Sequence, residues 1–280
     1  MTDSSSATSS STDSSSVDSG ASPMIHIEGL TKRYGSKLAV DNLDLSIGSG
    51  EFFCYLGPNG AGKTTTIKVL TGLASATSGR VWVGGFDIAR QPLEAKRLLG
   101  YVPDHPYLYE RLTVRELMRF VAGLYRISPR GLDERIDELL EIFEILAVGD
   151  ELVERLSHGM RQKLSFASTF LHQPRVVVVD EPWVGLDPKN IRRVKTYLKE
   201  QTRQGITVFM STHSLSIAEE LADRVGILHR GRLQHVGSVE QIKALASRPG
   251  SLEDVFLELT REDDDPAAAP AASLSAGGQS

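Results

Sequence analysis

Hydrophobic and polar residues largely alternate in two short stretches near the start of the chain. The stretches are Met24 to Glu28 and Leu43-Asp44-Leu45-Ser46-Ile47. A strand that has one face on a core and the other in water produces this period of two. The pattern therefore predicts two strands of an antiparallel β layer.

A strand, a loop and a helix follow in that order. Residues Glu51 to Leu56 are almost continuously apolar, which is typical of a strand buried on both faces. The glycine-rich run Gly57 to Gly62 predicts a loop, and Lys63 to Leu73 has the apolar spacing of a helix.

The pattern changes to a helical period from Leu112 to Leu171. Thr113, with Glu116 three residues later, predicts one helix start, and Ser128, which Pro129 follows, predicts another. We expect a helical subdomain over about residues 104–172.

Strand-like and helix-like patterns alternate again after this region, which predicts a return to an α/β core. The expected elements are a buried strand over Val176–Val179, a helix over Ile191–Gln204, a strand over Ile206–Met210, a helix over Leu215–Ala222, a hairpin of Val225–Leu228 and Leu233–Val236 that turns at Arg230-Gly231, a helix capped by Ser238 and Gln241, and a last helix over Leu252–Leu259.

Composition excludes several classes of protein. The chain has 280 residues, of which 40% are hydrophobic and 24% charged, as in ordinary globular proteins. Its formal net charge of -5 offers no overall positive field for phosphates, so we expect no nucleic-acid partner. No run approaches the roughly 18 to 20 apolar residues of a membrane span. The single cysteine, Cys54, lies in an apolar run and is expected to be buried, in a reducing cytoplasm.

Both ends of the chain are poor in large apolar side chains. Residues 1–22 are mostly Ser, Thr, Asp, Ala and Gly, and residues 261–280 are acidic and then rich in Ala, with Pro, Gly and Ser. Such segments bury too little apolar surface to offset the entropy of ordering. We therefore expect two disordered tails around a folded domain of residues 23–260.

The loop after the first buried strand matches the phosphate-binding pattern G-x-x-x-x-G-K-[ST]. Its glycines let backbone N–H groups turn toward phosphates, Lys63 neutralises the terminal phosphates, and Thr64 offers a hydroxyl to Mg2+. The nucleotide-binding residues expected here are Gly57, Pro58, Asn59, Gly60, Ala61, Gly62, Lys63, Thr64 and Thr65. The alternative is a plain glycine-rich turn, which the strand and helix on either side disfavour.

Two adjacent carboxylates end the buried strand over Val176–Val179. We expect Asp180, on the strand end, to hold the Mg2+ shell, and Glu181 to polarise the attacking water. Taken alone, such a pair is more often a solvated strand end. A phosphate-binding loop earlier in the same chain reverses that preference.

The run Leu156-Ser157-His158-Gly159-Met160-Arg161-Gln162 resembles the signature of the ATP-binding-cassette ATPases, which usually reads Leu-Ser-Gly-Gly-Gln. Other marks of that family stand around it and carry the resemblance over about residues 24–260: Tyr34, similar to the aromatic that stacks on adenine; Gly185-Leu186-Asp187, similar to the loop after the second motif; and His213 in Ser211-Thr212-His213, similar to the catalytic switch histidine.

The resemblance implies an α/β fold: a P-loop NTPase core with an antiparallel β subdomain and a helical subdomain. It implies an ATPase that uses ATP and Mg2+, with Lys63, Glu181 and His213 as its catalytic residues. It also implies a head-to-tail dimer in the ATP-bound state, in which Ser157 and Gly159 of one subunit cap the ATP held by the other.

Four positions depart from the family pattern. Asp104 follows the strand Gly100-Tyr101-Val102-Pro103 where most members have Gln, and its shorter carboxylate is expected to approach Mg2+ and the nucleotide. His158 and Met160 replace Gly and Gln of the signature. An acidic residue at the first place and an S-x-G-M-[KR]-Q signature resemble the branch that powers exporters with separate membrane subunits. Trp183 also departs from the pattern, and the sequence explains no role for it.

The leading hypothesis is the ATP-hydrolysing subunit of an exporter, bound to a membrane-spanning permease on another chain at the cytoplasmic face of the membrane. An aromatic cluster, Tyr107-Leu108-Tyr109, is a candidate docking site; ordinary packing is the equal alternative. A single-cassette ATPase of macromolecular or cofactor assembly is the second hypothesis. A hydrolysis-dead regulatory module is the third, and the complete set of Lys63, Asp180, Glu181 and His213 argues against it.

Overall fold

The computed structural model describes residues 22–183, 185–245 and 251–261. The predicted tails, 1–22 and 261–280, lie outside the described residues except for Ser22 and Arg261.

Two β-sheets form the framework. The first is antiparallel with strand order β2-β1-β4-β5, and the second has order β10-β9-β3-β8-β7-β6 with parallel pairing from β9 through β6. The strands are β1 (Ile25–Tyr34), β2 (Lys37–Ile47), β3 (Phe52–Leu56), β4 (Ser78–Val83), β5 (Phe86–Asp87), β6 (Leu99–Val102), β7 (Val176–Asp180), β8 (Thr207–Thr212), β9 (Arg224–His229) and β10 (Arg232–Ser238). The predicted α/β fold class is confirmed.

Nine helices are assigned within the described residues. They are α1 (Lys63–Leu70), α2 (Pro92–Leu98), α3 (Val114–Leu124), α4 (Leu132–Ile142), α5 (His158–Phe170), α6 (Pro188–Arg203), α7 (Leu215–Leu221), α8 (Val239–Lys243) and α9 (Leu252–Arg261). The predicted caps are present, because Thr113 and Glu116 form a capping box on α3, and Ser238 and Gln241 form another on α8.

The predicted helix start at Ser128 is wrong. Residues 129–132 form a turn in which the Leu132 N–H donates to the Pro129 carbonyl, and α4 begins after Gly131, whose φ is 73°. Glycine adopts this left-handed conformation without the steric cost that a side chain brings. The region is also not helical throughout, since two 3-10 turns, Leu146–Val148 and Val153–Arg155, separate α4 from α5.

The parallel sheet separates two apolar cores. On one face, Phe53, Tyr55 and Phe209 pack with the antiparallel sheet and α1. On the other face, Cys54 and its neighbours pack with the helices between residues 114 and 170 and with α6 and α7. Cys54 is fully buried, as expected, and burial raises the pKa of its thiol far above the ordinary value.

No helix within the described ranges is long and apolar enough to cross a membrane.

Candidate active site

The phosphate-binding loop joins the carboxyl end of β3 to the first residue of α1. Gly62 caps that helix with a φ of 116°, and a Cβ atom there would lie 2.5 Å from the Ala39 carbonyl oxygen. A Cβ atom at Gly57 would lie 2.5 Å from the Leu228 carbonyl oxygen. Both positions therefore require glycine because neighbouring backbone leaves no space for a side chain.

The side chain of Lys63 is buried inside the loop. Its ammonium donates to the carbonyl oxygens of Gly57 at 2.7 Å and Pro58 at 3.3 Å. It also lies 3.5 Å from Oε1 of Glu181. The loop thus places its cation beside the carboxylate that follows β7.

Asp180 is the last residue of β7, and only 1% of its surface is exposed. Burial raises the pKa of its carboxyl group, and the nearby carboxylates of Asp104 and Glu181 raise this pKa further. Hydrogen bonds from the Ser211 and Thr64 hydroxyls oppose the increase. The bond to Ser211 joins Oδ1 and Oγ over 2.5 Å. The other oxygen, Oδ2, is buried and has no hydrogen-bond partner among the described residues.

Glu181 follows at once, in a backbone conformation that side chains rarely adopt. Its φ is 43°, and its N–H is fixed by the backbone carbonyl and the hydroxyl of Ser211, each at 3.2 Å. Its Oε2 lies 2.8 Å from Nδ1 of His213 and its Oε1 faces Lys63. The strained turn aims one carboxylate between a lysine and a histidine.

Ser211 organises both carboxylates, although no sequence motif assigns it a role of its own. It is fully buried on β8, in register with Asp180 of the parallel neighbour β7. Its place at the end of a predicted strand could have indicated this role, because the carboxyl ends of adjacent parallel strands meet at one edge of the sheet. Finding it required the strand order, which the alternation of patterns does not give.

An open cavity of about 390 Å³ lies over the loop. Of the predicted site residues, it is lined by Tyr34, Asn59, Gly60, Gly62, Lys63, Thr64, Thr65, Asp104 and Glu181; Lys37 and Ala39 also line it and were not predicted. Gly57, Pro58 and Ala61 do not line it. Tyr34 is 48% exposed, with the Lys32 ammonium 4.8 Å from the centre of its ring, so part of the ring is accessible to an aromatic ligand.

Asp104 reaches this cavity from the loop after β6. Its carboxylate accepts the His105 N–H at 2.8 Å and lies 3.1 Å from the His105 ring nitrogen Nδ1. The loop is tied to α5, because the buried Gln162 amide donates to the Pro103 carbonyl at 3.4 Å.

Ser157 and Gly159 do not line the cavity of their own chain. Ser157 caps α5, since its hydroxyl accepts the Met160 N–H at 3.3 Å. A Cβ atom at Gly159 would lie 2.7 Å from the Gly185 carbonyl oxygen, and the His158 ring fills the space beside Gly185. The signature segment and the loop after β7 therefore pack directly on each other.

Trp183, on that same loop, is partly buried against the apolar core, and its indole N–H has no partner within the described part of the chain. Nothing in the structure explains why this position carries Trp.

A family model described as ABC transporter matches residues 40–184. The probable multidrug ABC transporter ATP-binding protein YbhF of Escherichia coli is 33% identical over 86% of this chain, which spans 42% of that protein. The daunorubicin resistance ATP-binding protein DrrA3 of Streptomyces coeruleorubidus is 36% identical over 80% of this chain and 71% of that protein.

Solved structures agree with the sequence relatives. The ATP-binding subunit of an ABC transporter superposes with a TM-score of 0.80 at 32% identity, covering 84% of this chain and 99% of that one. A dimeric ATP-binding cassette in a post-hydrolysis state with ADP and Pi gives 0.71 at 25% identity, with 77% and 98% covered. The chain belongs to the ABC transporter family.

Proposed function

We propose that this chain hydrolyses ATP with the residues around Lys63 and uses the cycle to power export by a separate membrane-spanning permease. The observation that carries the chemistry is the convergence of Lys63, Asp180 and Glu181 at the carboxyl ends of β3 and β7, the two strands on either side of β8. A cation, a metal-binding carboxylate and a general base are the three groups that phosphoryl transfer to water needs.

ATP is proposed to bind with its adenine against the exposed ring of Tyr34 and its phosphates over the loop. The backbone N–H groups of the loop and the start of α1 favour anions. Lys63 then exchanges its carbonyl partners, Gly57 and Pro58, for phosphate oxygens, a stronger charge-assisted contact.

Mg2+ fits the residues beside the loop. Asp180 Oδ2 is buried without a partner among the described residues, which is costly unless a cation or donor satisfies it, and the Thr64 hydroxyl lies within bonding reach of the same carboxylate. Asp180 and Thr64 would hold the ion, with Asp104 as a further oxygen donor. Bound Mg2+ supplies charge neutralisation on the phosphates.

Glu181 is proposed to take a proton from the attacking water. His213 binds one carboxylate oxygen at 2.8 Å, so the other, Oε1, which is buried and has no hydrogen-bond partner among the described residues, is left facing Lys63. His213 thus orients the base, and the carboxylate accepts the proton through Oε1. A second copy of the chain would bring its Ser157 and Gly159 to the ATP, because these residues lie outside the cavity of their own chain.

Two observations support a membrane partner. The relatives YbhF and DrrA3 are named for multidrug transport and drug resistance, and both are ATP-binding components. Tyr107 and Tyr109 are 88% and 61% exposed, and Tyr109 packs edge-on against the half-exposed Phe120. This patch of large apolar rings is suited to a docking helix, and its use would place the chain at the cytoplasmic face of the membrane.

The test is affinity capture of the Glu181→Gln variant from detergent-solubilised membranes in Mg-ATP, with partners read by mass spectrometry. Recovery of a multi-spanning protein, reduced in the Lys63→Ala variant that cannot hold ATP, is expected. Soluble partners alone, with the chain absent from membranes, would favour the assembly-ATPase hypothesis and overturn the transporter proposal.

A further inference from the structure

A second and larger cavity, of about 1300 Å³, shares no lining residue with the nucleotide cavity. It runs between α4, the end of α5, the segment before β7, and α6. We call it the α4–α6 groove and define it by Arg135, Ile142, Phe170, Arg175, Arg192 and Tyr197. Its walls come both from the helical region and from the parallel-sheet core.

The rim of the groove is cationic. Arg135, Arg175, Lys189, Arg192 and Arg193 line it, against Glu138 and Glu200 as the anions. Some of these cations are paired already, since Lys189 and Arg193 bond to Glu144. The exposed side chains of Arg175 and Arg192 have no hydrogen-bond or ion-pair partner among the described residues. A concave surface with unpaired guanidinium groups attracts carboxylates.

The floor of the groove is apolar. Phe170 and Tyr197 meet edge to face with ring centroids 4.9 Å apart, and Ile142 and Ile206 lie at its sides. A ligand that fits both surfaces carries at least one aliphatic side chain between acidic ones. Such a ligand is an acidic peptide segment.

The chain itself contains a segment of this kind before the first described residue, Ser22. Met24, two residues after Ser22, lines the groove. The charged side chains before Ser22 are Asp3, Asp13 and Asp18 alone, and Val17 stands beside Asp18. Asp18 is separated from Met24 by about 20 Å of extended chain at most, which suffices to enter the groove.

We propose that residues 13–18 bind in the α4–α6 groove of the same chain. Asp13 and Asp18 pair with Arg175 and Arg192, and Val17 packs on the partly exposed side chains of Tyr197 and Ile142. Each exposed ion pair is individually weak and screened by salt, but the short tether gives an effective concentration in the millimolar range. The bound segment would connect α4 with α6 and so join the helical region to the sheet core.

A nitroxide label tests this in the full-length chain. Cys54 is fully buried, so a Ser16→Cys variant can be labelled selectively at position 16. The measurement is paramagnetic loss of backbone amide NMR signal in the nucleotide-free protein at low and high salt. Amides of the groove, such as Gln173, Thr196 and Gly205, are expected to lose signal about fivefold more than amides of β4, and salt is expected to remove most of that difference.

Matched variants separate binding from mere proximity. The greater signal loss of the groove amides should disappear in two double variants. One is Arg175→Glu with Arg192→Glu, and the other is Asp13→Asn with Asp18→Asn. Arg97→Glu with Arg130→Glu changes the net charge by the same amount as the first pair, at exposed sites outside the groove, and should leave it intact. The proposal is overturned if the groove amides still lose signal in the Arg175→Glu and Arg192→Glu variant, or if the signal loss is equal over the whole protein surface.

A second control mixes two preparations: chains that carry the nitroxide but no NMR isotope, and isotope-enriched chains without the nitroxide. The enriched chains must show no loss of amide signal, because a loss would mean that the segment binds in the groove of a second copy. None of these readouts depends on ATP turnover, so the proposal stands or fails separately from the proposed function.

Discussion

The ring of His213 lies 2.8 Å from the carboxylate of Glu181, across the ends of two neighbouring parallel strands. The same carboxylate faces Lys63 through its other oxygen at 3.5 Å. One glutamate therefore connects the phosphate-binding loop with the strand β8, and its position depends on both.

We expect Glu181→Gln to lower kcat for ATP by about 10²- to 10⁴-fold, because the amide cannot accept the proton of water. His213→Ala should lower kcat by roughly tenfold or more, while ATP affinity changes little in either variant. The double variant should be no slower than Glu181→Gln, since the histidine acts through the glutamate. Steady-state ATPase assays measure this. His235→Ala, outside the site, is the control, and additive losses would contradict the orienting role.

Asp180→Asn should raise the Mg2+ concentration for half-maximal activity by about 10- to 100-fold, because an amide oxygen replaces a charged ligand. ATPase assays over a range of Mg2+ concentrations measure this.

The nucleotide-free Asp180→Asn variant should also be more stable than the parent at neutral pH, by on the order of 1 kcal/mol. Burial raises the folded-state pKa of Asp180, so the ionised group destabilises the fold above its unfolded pKa, and the gain should shrink as the pH falls. Chemical denaturation at two pH values tests this, with exposed Asp150→Asn as the control; no gain at neutral pH would contradict it.

Gly62→Ala should destabilise the nucleotide-free protein by about 2–4 kcal/mol, because the new Cβ atom meets the Ala39 carbonyl in a left-handed backbone. Gly60 is the matched control in the same loop. Its φ is also positive, at 81°, but a Cβ atom there would have no neighbouring atom within 4 Å, so Gly60→Ala should cost about 1 kcal/mol. Equal losses in urea unfolding would show that backbone strain, not the close approach, governs position 62.

His172 is expected to make stability depend on pH. Burial lowers its pKa from 6.5 to about 4, although its bond to the Leu99 carbonyl opposes the shift, and its ring stacks on Tyr125 at 3.7 Å. Between these two pKa values the unfolded chain binds the proton and the folded chain does not. Stability should therefore fall by up to about 1.4 kcal/mol for each pH unit below 6.5. His172→Phe keeps the stack and should flatten the slope from pH 6.5 to 4 relative to the parent; identical slopes would contradict the assignment.

Tyr107→Ala combined with Tyr109→Ala should reduce recovery of the membrane partner by roughly tenfold, because exposed aromatic anchors carry much of a docking energy. ATPase activity of the isolated chain should stay within about twofold. Leu93→Ala removes another exposed apolar side chain, 71% exposed on α2, and should change neither quantity. Unaltered recovery in the double variant would exclude docking at this patch.

Local sequence patterns were sufficient to predict those strands, helices and turns that depend only on residues close together in the chain. The strand, loop and helix around Lys63, the caps at Thr113 and Ser238, and the hairpin at Arg230-Gly231 all occur where the patterns predict them. The roles assigned to the individual site residues remain predictions that the kinetic variants address.

Local sequence patterns did not predict contacts between segments that are distant in the chain. The left-handed turn that delays α4 to Leu132 overrides a favourable Ser-Pro start, and β5, with 2 residues, is too short to show a period. Ser211 acquires its position from strand order, and Gln162 reaches the Asp104 loop across 59 residues of sequence.

The turn between β9 and β10 has a consequence for how the protein unfolds. Gly231 donates its N–H to the Ala61 carbonyl of the phosphate-binding loop and accepts the Asp41 N–H of β2, both at 2.8 Å. Neither sheet can therefore separate from the other without disturbing the loop between them. A nucleotide that binds only the intact loop must stabilise both sheets to the same extent, so saturation with ATP should merge their hydrogen-exchange rates into one cooperative unit.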